Sequence, residues 1–325
     1  MTEHRITFAA TGGPDVLASQ AVDLPPPGPG EVRMRNTAVG LNFIDTYYRS
    51  GLYPVALPSG LGGEAAGVIE AVGPAVSGLE VGMRVCTFGP LLGAYATARN
   101  VPAAILSRTP DGISDEVAAA IMLKGSTAEF LAERCARIEP GMAVLVHAAA
   151  GGVGQLLVQW LKHLGAEVIA TVGGEAKAAL AHKAGADHVI DYDREDVAAK
   201  VREMTGGAGV RVTYDGVGAA TWAASLAATG TRGLIVSYGN ASGAVTGIGL
   251  GALAAAGSLF VTRPKLFDYY ITPEERAAGT ARLFEMVGSG VLDVTIGQRW
   301  PLAHAAEAHR ALEGRRTVGS SLLIP

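Results

Sequence analysis

A glycine-rich loop between an apolar run and a helical pattern constrains the fold of this chain more than any other feature. Residues 142–147 are mostly apolar and β-branched, and residues 148–154 read Ala-Ala-Ala-Gly-Gly-Val-Gly before a helical pattern. This order is typical of the strand, loop and helix that begin a dinucleotide-binding unit. Gly151 lets the backbone approach a pyrophosphate, Gly154 lets the helix pack on the strand, and free N–H groups face the anion. Ala149 replaces the first glycine of the usual fingerprint, so a plain glycine-rich turn is the alternative.

The next apolar run indicates which dinucleotide is bound. Residues 167–172 predict a second parallel strand, which ends in Gly173 and Gly174. An NAD site usually places Asp or Glu at the end of this strand, where the carboxylate binds the ribose 2′-hydroxyl. Here that position is glycine, and Lys177 follows, where a cation could meet a 2′-phosphate. The pattern favours NADP over NAD, and the alternative for Lys177 is a solvated lysine on a helix face.

Length, charge and cysteine content narrow the class of protein. The chain has 325 residues, enough for two domains, and 49% hydrophobic against 17% charged residues supports a large core. A net charge of −4 without a Lys/Arg cluster gives no basis for general nucleic-acid binding.

Cys86 and Cys135 fit neither a disulfide framework nor a metal site. We expect idle thiols in a reducing compartment, no secretory signal and a cytoplasmic location.

One long segment without charges could be mistaken for a membrane span. Residues 233–262 contain no charged side chain, which exceeds the usual spanning length of about 20 residues. Repeated glycines interrupt it, so we predict a strand, a loop, a small-residue helix and another strand. We therefore expect no membrane insertion.

The order of short apolar runs predicts two domains. The first third holds runs bounded by Gly and Pro, which predict a mostly antiparallel β domain. These runs are residues 6–9, 31–39, 65–72, 84–87 and 95–98. From about residue 118, strands alternate with helices and predict a doubly wound six-stranded parallel sheet. Its strands are residues 142–147, 167–172, 188–191, 210–215, 233–238 and 258–262. The tail from Pro273 reads helix, strand, helix, strand, so we predict that residues 1–121 with 271–325 form one domain and residues 122–270 the other.

Several motifs along nearly the whole chain resemble one family. They are residues 40–47, 49–54, 62–67, 147–154, 238–243 and 319–325. Together they resemble the NADPH-dependent quinone oxidoreductases, which include the zeta-crystallins, of the medium-chain dehydrogenase/reductase superfamily. The resemblance implies an α/β fold, with a GroES-like β-rich catalytic domain beside a Rossmann domain. It also implies NADPH as cofactor and a homodimer formed through the edge strand at residues 257–262.

The chain departs from the zinc-dependent branch of that superfamily. In that branch a Gly-His-Glu segment supplies a ligating histidine, whereas this chain has Gly62, Gly63 and Glu64. Asn42 and Leu123 stand where cysteine ligands are expected, and the four closely spaced cysteines of the structural zinc site are missing. Catalytic zinc needs about three protein ligands and an open position. We therefore predict no metal.

A quinone needs little activation without a metal, because its conjugated carbonyls become aromatic on reduction. An oriented hydride donor and weak hydrogen-bond donors would suffice, with the chemistry supplied by the cofactor. We expect five residues near the nicotinamide: Asn42, Asp45, Tyr47, Tyr53 and Thr127. Asn42 can donate to the ribose or the substrate, Asp45 fixes the loop, and the tyrosines offer phenols and flat faces. The alternatives to these roles are turn capping for Asn42 and Asp45 and core or interface packing for the tyrosines. Water could protonate the hydroquinone product.

Cofactor contacts are expected at the carboxyl ends of the parallel strands. The candidates are Asn42, Thr127, Gly151, Gly152, Val153, Gly154, Gly173, Gly174, Lys177, Tyr192, Tyr238, Gly239, Asn240, Ser242 and Arg263. Tyr192 could cover the adenine or reach the 2′-phosphate. Arg263 could reach the cofactor, a partner subunit or only solvent, and His147 is interpreted as structural.

Three other functions compete with quinone reduction. The same hydride and pocket could reduce the C=C bond of an α,β-unsaturated carbonyl, since both substrates are flat conjugated acceptors. A non-catalytic NADPH-binding protein with a structural or RNA-binding role is suggested by some relatives, although the charge of −4 argues against RNA. A zinc alcohol dehydrogenase fits these residues least well.

Overall fold

Three β-sheets organise residues 2–325, the part of the chain that the computed structural model describes. The strands are β1 (Glu3–Phe8), β2 (Ala18–Val22), β3 (Glu31–Leu41), β4 (Ser59–Gly60), β5 (Glu64–Val72), β6 (Arg84–Phe88), β7 (Ala98–Pro102), β8 (Leu106–Arg108), β9 (Ala143–Val146), β10 (Glu167–Val172), β11 (His188–Asp191), β12 (Val210–Asp215), β13 (Thr229–Ser237), β14 (Phe260–Thr262), β15 (Ile296–Pro301) and β16 (Ser320–Ile324). The α-helices are α1 (Phe43–Ser50), α2 (Asp115–Glu129), α3 (Gly152–His163), α4 (Glu175–Lys183), α5 (Val197–Met204), α6 (Trp222–Ala228), α7 (Leu250–Ala255), α8 (Pro273–Gly288) and α9 (Ala305–Glu313).

Two compact units divide the described residues. The β-rich unit comprises residues 2–124, 272–284 and 294–325, and the α/β unit comprises residues 125–271 and 285–293. The GroES-like and Rossmann architecture predicted from the sequence is confirmed by the sheets of these units.

Strand β3 is the centre of the β-rich unit. Its inward residues Val32 and Met34 are fully buried, and they alternate with outward Arg33 and Arg35, as expected for a strand with one face on the core. Antiparallel partners of β3 are β5, β7 and β16. The C-terminal tail therefore completes this sheet, because β16 pairs with β3 and β15 pairs parallel with β16.

The predicted strand at residues 95–98 is wrong. The ladder with β3 begins only at Ala98, opposite Arg35. Upstream, the side chain of Asn36 donates to the carbonyls of Ala94 at 3.0 Å and Ala96 at 2.7 Å. Residues 95–97 form an isolated bridge to β1, between Arg5 and Ala96, so the chain changes partner before the continuous ladder with β3 begins.

The α/β unit contains the predicted six-stranded sheet. Its order is β11-β10-β9-β12-β13-β14 and every neighbouring pair is parallel, which is the doubly wound order 3-2-1-4-5-6. The central strands are buried along most of their length, as expected for a parallel sheet covered by helices on both faces. The chain order reverses between β9 and β12, and ligands of such sheets bind at the carboxyl ends beside that point.

The segment without charges forms the predicted elements rather than one long helix. It contains most of β13, a loop, the six-residue helix α7 and strand β14. None of the helices in the described part of the chain combines the length and apolar composition needed to cross a bilayer.

Candidate functional site

The glycine-rich loop forms the start of helix α3. Strand β9 ends at Val146, and Gly151 is the N-cap of α3. A Cβ added at Gly154 would lie 2.3 Å from the carbonyl oxygen of Ala148, so only glycine allows this close packing of helix and loop. The first N–H groups of a helix lack intrahelical acceptors and attract anions. The local geometry fits a bound pyrophosphate.

The end of β10 is covered by a side chain from the turn after β11. A Cβ added at Gly173 would lie 2.6 Å from the hydroxyl oxygen of Tyr192. The backbone N–H of Tyr192 donates to the carbonyl of Val172 at 3.0 Å, which fixes the turn after β11 beside β10. Gly174 begins α4 with a φ of 86°, and the half-buried Lys177 lies in the first turn of that helix. A tyrosine and a glycine pair therefore lie together, with a lysine following in the next turn.

The loops after β12 and β13 are tied to each other. The Asp215 carboxylate accepts hydrogen bonds from the N–H groups of Val217 and Gly218, both at 2.9 Å. Ser242 Oγ accepts from the N–H of Ala220 at 3.0 Å and donates to the carbonyl of Val217 at 2.9 Å. These bonds hold the predicted loop of Tyr238, Gly239, Asn240 and Ser242 at the carboxyl edge of the sheet.

Arg263, the residue after β14, supports that loop. Its Nη1 donates to the carbonyls of Ser237 at 2.7 Å and Gly239 at 3.1 Å. The guanidinium therefore has a structural contact in addition to any role toward a ligand.

His147 links three strands beneath the glycine-rich loop. Its ring is buried, with Nδ1 3.0 Å from Thr171 Oγ1 and Nε2 3.1 Å from Ser225 Oγ. Ser225 in turn donates to Asp215 Oδ2 at 2.7 Å. Burial lowers the pKa of His147, with a smaller opposing effect of Asp215, so the ring is held neutral. The arrangement joins the ends of β9, β10 and β12.

Asn42 and Asp45 form the N-terminus of helix α1 in the β-rich unit. Asn42 is the N-cap, and its backbone N–H donates to Asp45 Oδ2 at 2.8 Å. The side-chain amide of Asn42 donates to Glu64 Oε1 at 2.8 Å. Both residues are buried, so the cap is rigid and the Asn42 amide has a fixed orientation.

Glu64 is the buried anchor of that amide. Its Oε1 also accepts from Lys124 Nζ at 2.6 Å, and its Oε2 accepts from the N–H of Leu123 at 2.6 Å. The carboxylate has no exposed surface, and Lys124 is only 5% exposed. This ion pair joins β5 to α2 and places Asn42 beside both.

A second chain of polar groups reaches Asp45 from helix α9. Tyr95 Oη donates to Asp45 Oδ2 at 2.9 Å and lies 3.2 Å from His309 Nε2. Arg49 lies 3.4 Å from His309 Nδ1 and pairs with Glu313 at 2.6 Å. Burial, with a smaller effect of Arg49, lowers the pKa of His309 to about 3. The neutral ring accepts from Arg49 and donates to Tyr95, so α1 is held at both ends.

The aromatic candidates lie on and just after α1. Tyr47 is 8% exposed, and its ring centroid lies 5.3 Å from that of Tyr53 in an edge-on arrangement. Tyr53 also packs edge-on against Tyr48, with the ring centroids 5.8 Å apart. The aromatic packing gives both candidate rings a defined orientation.

The predicted residues are distributed over both units. Asn42, Asp45, Tyr47 and Tyr53 lie together in the β-rich unit. The α/β unit holds Thr127, Gly151, Gly152, Val153, Gly154, Gly173, Gly174, Lys177, Tyr192, Tyr238, Gly239, Asn240, Ser242 and Arg263. Thr127 lies within α2, near the start of this unit.

Sequence reasoning missed five buried polar residues that support these positions: Glu64, Lys124, Tyr95, His309 and Asp215. Glu64 lies in the family motif at residues 62–67, and Asp215 ends a predicted parallel strand. Both could therefore have been predicted as site residues from the sequence. Over residues 2–325, no group of three or more His, Cys, Asp or Glu side chains could hold a metal ion.

Two family models match the chain. One described as an alcohol dehydrogenase GroES-like domain covers residues 28–111, and one described as a zinc-binding dehydrogenase covers residues 152–285. Over 99% of each chain, this protein is 51% identical to a quinone oxidoreductase of Pseudomonas aeruginosa. It is 46% identical to a 2-haloacrylate reductase of a Burkholderia species, over 97% of this chain and 96% of that protein.

A solved structure shows the same fold. The crystal structure of Escherichia coli quinone oxidoreductase complexed with NADPH matches with a TM-score of 0.97 and 49% identity. The match covers 99% of this chain and 100% of the other.

Proposed function

We propose that this chain, which belongs to the quinone oxidoreductase family of the medium-chain dehydrogenase/reductase superfamily, transfers hydride from NADPH to a quinone without a metal. The observation that carries the proposal is the full-length similarity to quinone oxidoreductases, one of which has been crystallised with NADPH. The resemblance inferred from sequence motifs is thereby confirmed.

The residues of the α/β unit fit a phosphorylated dinucleotide. The free N–H groups at the start of α3, from Gly152 to Gly154, would hold the pyrophosphate. Lys177 and Tyr192 would contact the 2′-phosphate, since Tyr192 covers the glycine where an NAD site usually has a carboxylate. When bound, NADPH supplies the hydride. The loop at residues 238–242 and Thr127 complete the proposed cofactor contacts.

The β-rich unit would hold and orient the acceptor. Asn42, Tyr47 and Tyr53 offer an amide and two phenols, and their orientations are fixed by Glu64 and by aromatic packing. Asp45 positions this group through the N-cap of α1. Catalysis would rest on proximity and orientation, which contribute most when the reacting groups are held rigidly.

The first experiment is stopped-flow oxidation of NADPH and then NADH by 1,4-benzoquinone and 9,10-phenanthrenequinone. Lys177→Ala should weaken NADPH binding roughly tenfold or more, because it removes a charge-assisted contact to phosphate. Lys200→Ala is the matched control, since Lys200 pairs with Glu203 on the surface of α5. Tight NADPH binding without turnover of either quinone would refute the proposed reaction.

Reduction of a C=C bond is the second candidate. The similarity to a 2-haloacrylate reductase favours it, because a haloacrylate is a conjugated acceptor like a quinone. Steady-state rates with 2-chloroacrylate, an enone and a quinone under one set of conditions separate the two. A higher kcat/KM for the acrylate would reverse the order of the candidates.

We also propose that the protein is a cytoplasmic homodimer joined along β14. This strand pairs only with β13 in the described sheet, and Phe260 and Val261 are 61% and 38% exposed. An exposed apolar edge strand favours pairing with another chain. Cys86 and Cys135 are both free thiols, which supports a reducing compartment.

A further inference from the structure

The carboxylate of Asp193 lies beside Gly173, a residue that has no side chain of its own. A Cβ added at Gly173 would lie 3.0 Å from Asp193 Oδ2, as well as 2.6 Å from the Tyr192 hydroxyl. Gly173 directly follows Val172, the last residue of β10, where the acidic residue of an NAD site usually projects. In this chain the acidic group beside that position is the Asp193 carboxylate, which belongs to the turn after β11.

Hydrogen bonds fix the turn that presents this carboxylate. Asp191 Oδ1 accepts from the N–H of Gly174 at 3.1 Å and from the N–H of Asp193 at 3.2 Å. The backbone N–H of Tyr192 donates to Val172 at 3.0 Å. Strands β10 and β11 are in register at this end, with Val172 opposite Asp191. Asp193 is therefore held beside the glycine pair by contacts on both sides of the turn.

The two nucleotides differ in what a carboxylate does at this position. The ribose 2′-hydroxyl of NADH can donate a hydrogen bond to a carboxylate, as in ordinary NAD sites. The 2′-phosphate of NADPH carries negative charge, which a nearby carboxylate repels. Lys177, in the first turn of α4, has the opposite preference. The glycine pair and lysine favour NADPH, and Asp193 opposes them.

We propose that Asp193 is a specificity-determining residue that weakens the preference for NADPH and allows NADH to bind as well. The inference rests on the proposed function, since it concerns the ribose end of the same nucleotide site. It assigns to a residue of the turn after β11 the role that a residue at the end of the second strand has in an ordinary NAD site.

Direct binding of each nucleotide to the full-length chain tests the proposal without any quinone. Dissociation constants of NADPH and NADH are measured by fluorescence for the wild type and for Asp193→Asn. The variant keeps the size of the side chain and the backbone N–H that Asp191 binds. We expect the ratio of the NADH constant to the NADPH constant to rise about five- to tenfold, with tighter NADPH and weaker NADH binding. The change should shrink between about 0.05 M and about 0.5 M salt, because the site is exposed.

Glu203→Gln is the matched control. It removes the same charge from the surface of α5, where Glu203 pairs with Lys200. The control should leave the ratio within about twofold of the wild type. An unchanged ratio in Asp193→Asn, or an equal change in the control, would overturn the proposal while leaving NADPH binding intact. Failure of the wild type to bind either nucleotide would instead overturn the proposed function, and this inference with it.

Discussion

The carboxyl group of Asp45 combines complete burial with few partners. Its Oδ2 accepts two hydrogen bonds, from Asn42 and Tyr95, whereas its buried Oδ1 has no partner among the described residues. Burial raises the pKa of Asp45 from 3.8 to about 7, and the hydrogen bonds from Asn42 and Tyr95 offset only part of that effect. The folded protein therefore binds a proton on Asp45 more tightly than the unfolded chain does.

This difference predicts a stability change with pH. Because the folded pKa exceeds the unfolded one, the stabilising proton is fully present below about pH 4 and is lost as pH rises through about 7. Asn cannot titrate, so the difference between wild type and Asp45→Asn isolates this group. The free energy of unfolding of the wild type should fall relative to the variant by up to about 4 kcal/mol across that window. Urea titrations at several pH values measure it, and a difference that stays constant with pH would contradict the expectation.

Residues with a local role were predictable from sequence, and residues with distant partners were not. Gly154 follows from the strand, loop and helix around it, because the close approach it permits is to Ala148, six residues earlier. In the sequence, Glu64 was noted only because it follows Gly63, which stands where the zinc-dependent branch has a histidine. Its role depends on Lys124, which lies 60 residues away in sequence and meets it only in the folded chain. Asp193 was not predicted for the same reason, since its neighbour Gly173 lies after β10 whereas Asp193 lies after β11.

Among the elements, buried parallel strands were the most predictable. The predicted strands at residues 167–172, 188–191 and 210–215 have the observed bounds, because each is a short run with several β-branched residues, bounded by turn residues. The strand predicted at residues 95–98 is displaced because this segment bridges to Arg5 of β1 before it pairs with β3, and the Asn36 side chain binds the carbonyls of Ala94 and Ala96. The local sequence pattern carries no information about partners that are so far away along the chain.

The ion pair between β5 and α2 gives a prediction at this scale. Lys124→Met should destabilise the protein by about 3 kcal/mol, because it leaves the Glu64 carboxylate buried without its cation. The double variant Glu64→Gln/Lys124→Met should recover much of that loss, since no unpaired charge remains. Chemical denaturation of both variants measures the free energies. If the double variant were less stable than Lys124→Met, the pair would have to stabilise through something other than charge compensation.

Lys162→Met is a suitable control for the same substitution. Lys162 pairs with Asp187 at 2.8 Å, but both side chains are about one-third exposed. Solvent screens such a pair, so the expected loss is within about 1 kcal/mol. The comparison separates the cost of burial from the loss of an ion pair as such.

At the scale of the whole molecule, the two units supply different parts of the proposed reaction. The α/β unit provides a helix start and glycine pair suited to a dinucleotide, and the β-rich unit provides the amide and tyrosines suited to a flat acceptor. The net charge of −4 gives the chain no basis for general binding of a polyanion. In the proposed site, local N–H groups and single cations would instead bind a small anionic cofactor.

The open edge of the six-stranded sheet predicts the state of assembly. Since β14 presents exposed Phe260 and Val261 on an edge that no described strand covers, two copies should pair there. The wild type should then have twice its chain mass of 33.2 kDa in light scattering coupled to gel filtration. Phe260→Lys should yield monomer, because a charged edge resists pairing, whereas Val81→Lys in the β-rich unit, where Val81 is 65% exposed, should remain dimeric. A dimer that survives Phe260→Lys would place the interface elsewhere, and a monomeric wild type would exclude it.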